Sequence, residues 1–150
     1  MLTEIFQTIG DDLFQYLESR NIKTKKIELI TGRVKPGQKK KAISFELLRF
    51  GSDQVHKNYL PEASPDKSYY AFSFFVIAHS PLYTDRLEML EHICDHLHKK
   101  PFLQIRINEK EYEVAFSALE LNISELSEFW LVQSQSYQPV LFYQARISEI

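Results

Sequence analysis

His92 and His96 stand four residues apart in a segment that also holds Cys94, Asp95 and His98. Two imidazoles one helical turn apart can share a divalent metal, which makes this pair the best metal signal in the chain. The order His-Glu-x-x-His is missing, however, and no second motif supplies the remaining ligands. At about 100° per residue the two rings lie roughly 110 to 150° from the stripe of Leu87, Leu90 and Leu97. That angle predicts a solvated helix face rather than a metal site. Cys94 falls inside the apolar stripe and reads as a small buried thiol, since a nucleophile needs a base and some exposure. His79 ends an otherwise apolar strand, and its spacing assigns it no partner carboxylate for acid–base work. There is no G-x-S-x-G, no phosphate-cradling glycine loop and no spaced carboxylate dyad, and four glycines are few for nucleotide binding. The chain therefore reads as a non-enzyme, with no catalytic residue, no metal and no cofactor.

The elements that position these residues follow from periodicity. Leu2, Ile5, Phe6, Ile9, Leu13, Tyr16 and Leu17 recur at three- and four-residue steps, predicting an amphipathic helix over residues 2–18. Gly10 in its middle costs about 1 kcal/mol relative to alanine. KKIELITG reads as a short strand ended by Gly32, followed by the basic turn segment GRVKPGQKKK. KAISFELLRF alternates as a strand, and residues 51–67 read as a loop interrupted by Pro61 and Pro65. SYYAFSFFVIAHS is apolar on both faces, the pattern of a central strand. Tyr83 to Lys99 is predicted as a second helix, with Thr84 or Asp85 as its cap, Leu87, Leu90, Ile93, Cys94 and Leu97 as its stripe, and Pro101 as its stop. LQIRINEKEYEVAF predicts a hairpin turning at Asn108-Glu109. Ser124 to Val132 predicts a short helix capped by Ser124, and PVLFYQARI a closing strand. This order predicts an α+β single domain: a mixed or antiparallel sheet with helices packed on it.

Composition agrees with a folded domain. The chain has 150 residues, 44% hydrophobic and 25% charged, with 11 Phe, 8 Tyr and 1 Trp. A chain of this size buries about 68–70% of its unfolded surface and needs no staples; its single cysteine excludes an internal disulfide framework. No apolar run approaches the roughly 18 residues that span a bilayer, and the acidic amino terminus is the reverse of a secretory signal, so a soluble chain is expected. The net charge of -2 conceals an asymmetry. Residues 20–41 hold nine basic residues and one acid, Glu28, whereas residues 109–150 hold seven glutamates against Lys110 and Arg146. Such a ribbon and such an end suit head-to-tail contact between copies or docking on an acidic partner, beside the plain alternative of a solvated loop. Nucleic acid is not expected as the partner: Arg33, Lys35, Lys39, Lys40 and Lys41 have no aromatics interleaved, and the total charge is negative. Trp130, with Leu126, Phe129 and Leu131, reads first as a core anchor and second as an interface hot spot.

Two stretches together carry a resemblance. The first is SYYAFSFFVIAHSPLYTDRLEMLEHICDHLHKKPFL; the second is NISELSEFWLVQSQSYQPVLFYQARISEI, with Trp130, Tyr137-Gln138-Pro139, Tyr143 and Arg146. The pair resembles the tail-terminator, or cap, proteins of phage-tail-like contractile injection systems, in which a strand and helix end at a Lys-Pro stop and the chain closes on a Trp, Tyr-x-Pro, Tyr and Arg pattern. The opening helix and the ISFELLRF strand match the family's amino-terminal part, so the resemblance covers nearly all of residues 1–150 as one tail-terminator-like domain. This sequence departs from the pattern at Val140, where a small residue is usual, and in the absence of a glycine before Tyr137.

The resemblance implies a structural ring, expected to be a homo-hexamer, on the distal end of an inner tube protein and its contractile sheath protein. The ring would end polymerisation and couple sheath to tube, with assembly in the cytoplasm and residence in a phage-tail-like particle. Ring closure needs two different patches on each copy; the basic ribbon against the acidic end is the candidate pair. The candidate interface residues are Arg33, Lys35, Lys39, Lys40, Lys41, Trp130, Tyr137, Tyr143 and Arg146. Leu141 to Ile147 is a candidate sheet edge for a sheath arm. The alternative reading is a monomeric adaptor that recognises one protein partner.

Overall fold

In the computed structural model, which describes residues 1–33, 40–53, 67–133 and 138–150, the first periodic segment forms helix α1 (Leu2–Ser19). Ile5, Phe6, Ile9, Leu13 and Leu17 are its buried stripe. The helix ends where Asn21 adopts a left-handed φ of 63° and the Ile22 N–H bonds back to the Leu17 carbonyl at 3.0 Å. Asparagine tolerates that conformation, and the bond satisfies a carbonyl the helix leaves open. A 3-10 turn over Thr24–Lys26 follows, so the first strand opens at Ile27 and not at the lysines expected to begin it.

Among the described residues six strands make one sheet: β1 (Ile27–Thr31), β2 (Lys41–Ser52), β3 (Tyr69–His79), β4 (Phe102–Ile107), β5 (Lys110–Ala118) and β6 (Leu141–Glu149). Their order is β1-β2-β3-β6-β5-β4. Among the described strands only β1 and β2 run parallel, so the sheet is mixed, as the α+β reading predicts. The β4–β5 hairpin turns at Asn108 and Glu109, whose φ values of 50° and 68° match the mirror-image turn that suits twisted strands. A bulge between Leu47 and Arg49 shifts the register of β2 against β3.

The closing strand corrects an expectation. β6 lies between β3 and β5 and pairs with both, so it offers no free edge for an added arm; the edges are β1 and β4. The reason is visible in its residues. Phe142 packs on one face while Tyr143, Ala145 and Ile147 pack on the other, which suits an interior position.

Both faces of the sheet carry helices. On one face α1 and α2 (Tyr83–Lys99) cover a large core in which Phe74 meets the rings of Phe6, Phe45, Phe72, Phe116 and Tyr143 at 5.5 to 6.3 Å. Gly10 belongs to this packing: a Cβ there would collide with the side chain of Leu29, so the glycine lets α1 approach β1. On the other face α3 (Ile123–Gln133) covers a smaller cluster of Phe75, Ile77, Trp130 and Phe142. Phe129 stands edge-on to Phe75 and to Phe142 at 4.9 Å.

The helix caps differ from those expected. Asn122, not Ser124, caps α3: its Oδ1 accepts the Glu125 N–H at 2.8 Å and Glu125 accepts the Asn122 N–H at 3.2 Å, a reciprocal box. At α2 neither Thr84 nor Asp85 takes the cap position. Ser80 accepts the Leu82 N–H at 3.3 Å and donates to Asp85 at 3.1 Å, tying the strand end to the first turn.

Candidate assembly interface

The side chains singled out for chemistry are arranged for packing. In α2 the buried residues are Met89, Leu90, Ile93, His96 and Leu97, whereas Leu87 and Cys94 are exposed, so the stripe is rotated from the one expected. The cause is a second neighbour. α2 packs on α1 as well as on the sheet, and His96, expected in solvent, is only 8% exposed and lies against the Tyr16 ring at 5.0 Å. Burial holds its imidazole below the ordinary histidine range, opposed by Asp12 and Asp95 and assisted by Lys100. The seam continues in polar pairs. Tyr16 donates to Asp95, Lys99 reaches the same carboxylate at 2.9 Å, Arg20 lies over the Tyr16 ring, and Lys100 meets Asp12 at 2.9 Å. The Tyr16 hydroxyl and then Lys99 hold the Asp95 carboxyl below its usual range. Residues 12, 16 and 20 of one helix thus mesh with 92, 95, 96, 99 and 100 of the other. Among the described residues no three His, Cys, Asp or Glu side chains converge on a point that would hold a metal. His79 is partly buried, and burial followed by the nearby Arg86 charge lowers its pKa.

The residues expected at an interface scatter. Lys35, Lys39 and Tyr137 lie outside the described residues. Trp130 is buried against the sheet, which is the first of its two expected readings, and Tyr143 is buried on the opposite face. Burial, and then the Cys94 thiol beside it, raises the Tyr143 phenol well above its ordinary value. Both rings therefore sit in the core and not on the surface for which they were candidates. Arg146 is surface-exposed and pairs with the buried Asp53 at 3.7 Å. Arg33 bonds Gln133 at the end of α3 at 3.1 Å and faces Glu46 at 3.8 Å, pinning α3 to β2. Lys41 meets Asp85 at 2.9 Å, holding that carboxyl below its usual range, and Lys40 is exposed.

The charges nonetheless separate along the chain. Lys23, Lys25 and Lys26 stand exposed beside the edge strand β1 and make no ion pair among the described residues. In the β4–β5 hairpin, Glu109, Glu111 and Glu113 are offset by Arg106 and Lys110, so the acidic character concentrates in residues 119–133, with Glu120, Glu125 and Glu128 and no Lys or Arg. Sequence reasoning missed the outer side of α3. Ile123, Leu131 and Val132 are 85%, 79% and 77% exposed. The available signal was a helix that is apolar on both sides, which predicts cover on both.

Among the described residues no helix is long and apolar enough to cross a membrane. No curated protein matches the chain. Solved structures that share its fold include two terminators. The PVC sheath/tube terminator of an extracellular contractile injection system, in its extended state, superposes with a TM-score of 0.66 at 10% identity, over 93% of this chain and 56% of that one. The tube-terminating cap of the anti-feeding prophage superposes with a TM-score of 0.60 at 11% identity, over 95% of this chain and 54% of that one. The chain thus spans about half the length of each. The model of the Pvc16 N-terminal domain matches residues 5–150, and with nearly the whole sequence inside that match, the chain belongs to the Pvc16 N-terminal domain family.

Proposed function

We propose that this chain is a structural cap, the terminator domain that closes the distal end of the tube and sheath in a contractile injection system. The observation that carries the reading is a shared fold over 93% of the chain with a sheath/tube terminator. The physical character of the molecule supports it. Its titratable groups pair for packing, its largest side chains fill two cores, and its surface separates a basic edge from an acidic helix. A block of this kind works by fit. A ring of copies, six in the expected assembly, seats on the last tube and sheath layer and presents a far side that does not reproduce the tube's binding face, so growth stops. Because the same ring holds both cylinders, contraction of the sheath drives the tube as one body. The work is mechanical and needs no bond chemistry, and assembly takes place in the cytoplasm before the particle is released.

Electron microscopy of particles assembled without the chain tests the proposal. Overlong or ragged tails are expected. Tails of normal length with sheath and tube ending together would overturn it.

A further inference from the structure

β1 pairs with only part of its neighbour. Its register runs from Ile27 opposite Lys41 to Thr31 opposite Phe45. There the Gly32 N–H makes a last bond to the Phe45 carbonyl at 2.8 Å, and a φ of 115°, which favours glycine, turns the chain away. β2 runs on to Ser52, paired with β3 alone among the described strands. Glu46–Gly51 is therefore a sheet edge about 20 Å long, with alternate N–H and C=O groups directed away from β3.

The side chains on this edge are largely apolar. Leu47 stands opposite Phe74 and Phe50 opposite Phe72, so the bulge between Leu47 and Arg49 puts two residues three apart on the same face. Phe50 also stacks on Tyr70 at 5.5 Å. Phe72 and Phe74 are buried, whereas Leu47, Leu48 and Phe50 are 39%, 44% and 44% exposed. Arg49, opposite Ser73 on the other face, is exposed and makes no ion pair among the described residues, while Glu46 already faces Arg33 at 3.8 Å. The other edges differ. Lys25 and Lys26 precede the short β1, and β4 exposes Gln104 and Arg106 beside one apolar side chain, Phe102. Short strands and charged side chains blunt an edge, whereas an exposed apolar edge is a template for another strand.

We infer that Glu46–Gly51 is a docking edge for an extended segment of another polypeptide. That segment adds as a strand, with apolar residues toward Leu47 and Phe50 and an acidic residue on its alternate face toward Arg49. An extended backbone pairs with the open N–H and C=O groups; a helix or a lipid surface would cover Phe50 and leave those groups unpaired. Cross-strand neighbours on each face then set the sequence, apolar against Leu47 and Phe50 and acidic against Arg49. A second copy of this chain is a poorer occupant, because its β4 edge carries Arg106 and its β1 edge is bordered by lysines. The contact goes beyond the cap reading and does not depend on it.

Selection on the whole chain from a displayed library of random decapeptides tests the inference. Enrichment of sequences in which apolar residues alternate with polar ones that include an acid is expected. The enriched peptide, made synthetically, should shift the amide resonances of residues 46–51 and bind Phe50→Ser more than about tenfold more weakly. Arg49→Glu, at an exposed position, should lose a similar factor and recover it when the peptide's acid is changed to lysine, a reversal that a folding defect would not give. N-methylation of alternate peptide residues should abolish binding in one frame and spare it in the other, because only alternate N–H groups of an added strand face β2. No enrichment, enriched sequences without the alternation, resonances moving elsewhere, or the same response to N-methylation in both frames overturns the inference. So does a wild type that dimerises in sedimentation while Phe50→Ser stays monomeric, since that assigns the edge to a second copy. Tails of normal length in particles lacking the chain would sink the cap reading and leave this contact standing.

Discussion

The face of the sheet under α1 and α2 and the face under α3 are built from the same kinds of residue but finished differently. Under α1 and α2 the aromatic cluster around Phe74 is closed on all sides, and even the polar seam between the helices is paired. Under α3 a smaller cluster is closed by Trp130 and Phe129, while Leu131 and Val132 of the same helix, and Ile123 at its start, are in water. The first face is complete as a fold. The second is complete only below the helix, although exposed apolar side chains remain on both helix layers, Leu82, Tyr83 and Leu87 at the start of α2 as well as Leu131 and Val132 on α3.

Several measurements would sharpen or break that contrast. The largest effect is expected in the sealed core, where Phe74→Ala should lower stability by about 4 kcal/mol in denaturant unfolding. Trp130→Ala should cost about 3 kcal/mol, with hydrogen exchange showing that residues 123–133 lose protection while β3 keeps it. Equal loss of protection across both faces would mean that the two clusters form a single cooperative unit.

Acidification should act on the first face by way of His96. Its folded pKa lies below the ordinary 6.5, so the unfolded chain binds the proton more readily; stability is full above about pH 6.5 and falls as pH drops below it. His79, lowered by burial and Arg86, acts in the same direction. The depressed carboxylates Asp85 and Asp95 lose their contribution only at lower pH, as they protonate. His96→Gln should therefore reduce the slope in the histidine window and leave the acid limb. An unchanged slope would remove His96 from the account.

The smallest effect is expected outside α3. Leu131→Asn should change the stability of the isolated chain by no more than about 0.5 kcal/mol, because the side chain is already in water. A loss near that of Trp130→Ala would show that the outer face is packed in solution and end the contrast.

Much of the fold was legible in residue order. Ile5, Phe6, Ile9, Leu13 and Leu17 declared α1, the two-sided apolar run Tyr69–Ala78 declared a central strand, and Asn108 declared the hairpin, because each is set by neighbours within a few residues in the chain. The candidate site was legible mainly as charge. Trp130 reads first as a core anchor and second as an interface residue, and Tyr143 as an interface residue, because a large aromatic looks the same in a string of letters whether it anchors a core or a partner. His96 and Cys94 exchanged places for a related reason. A helical wheel assumes one apolar neighbour, and α2 has two.

Local periodicity, turn chemistry and the separation of basic from acidic residues were determined by the sequence itself, since those depend on spacing along the backbone. Which strand lies inside the sheet, which side of a helix is covered twice and which is left bare were decided only by the tertiary structure. They depend on pairings between residues far apart in the chain, such as β6 between β3 and β5, and no local pattern encodes the partner.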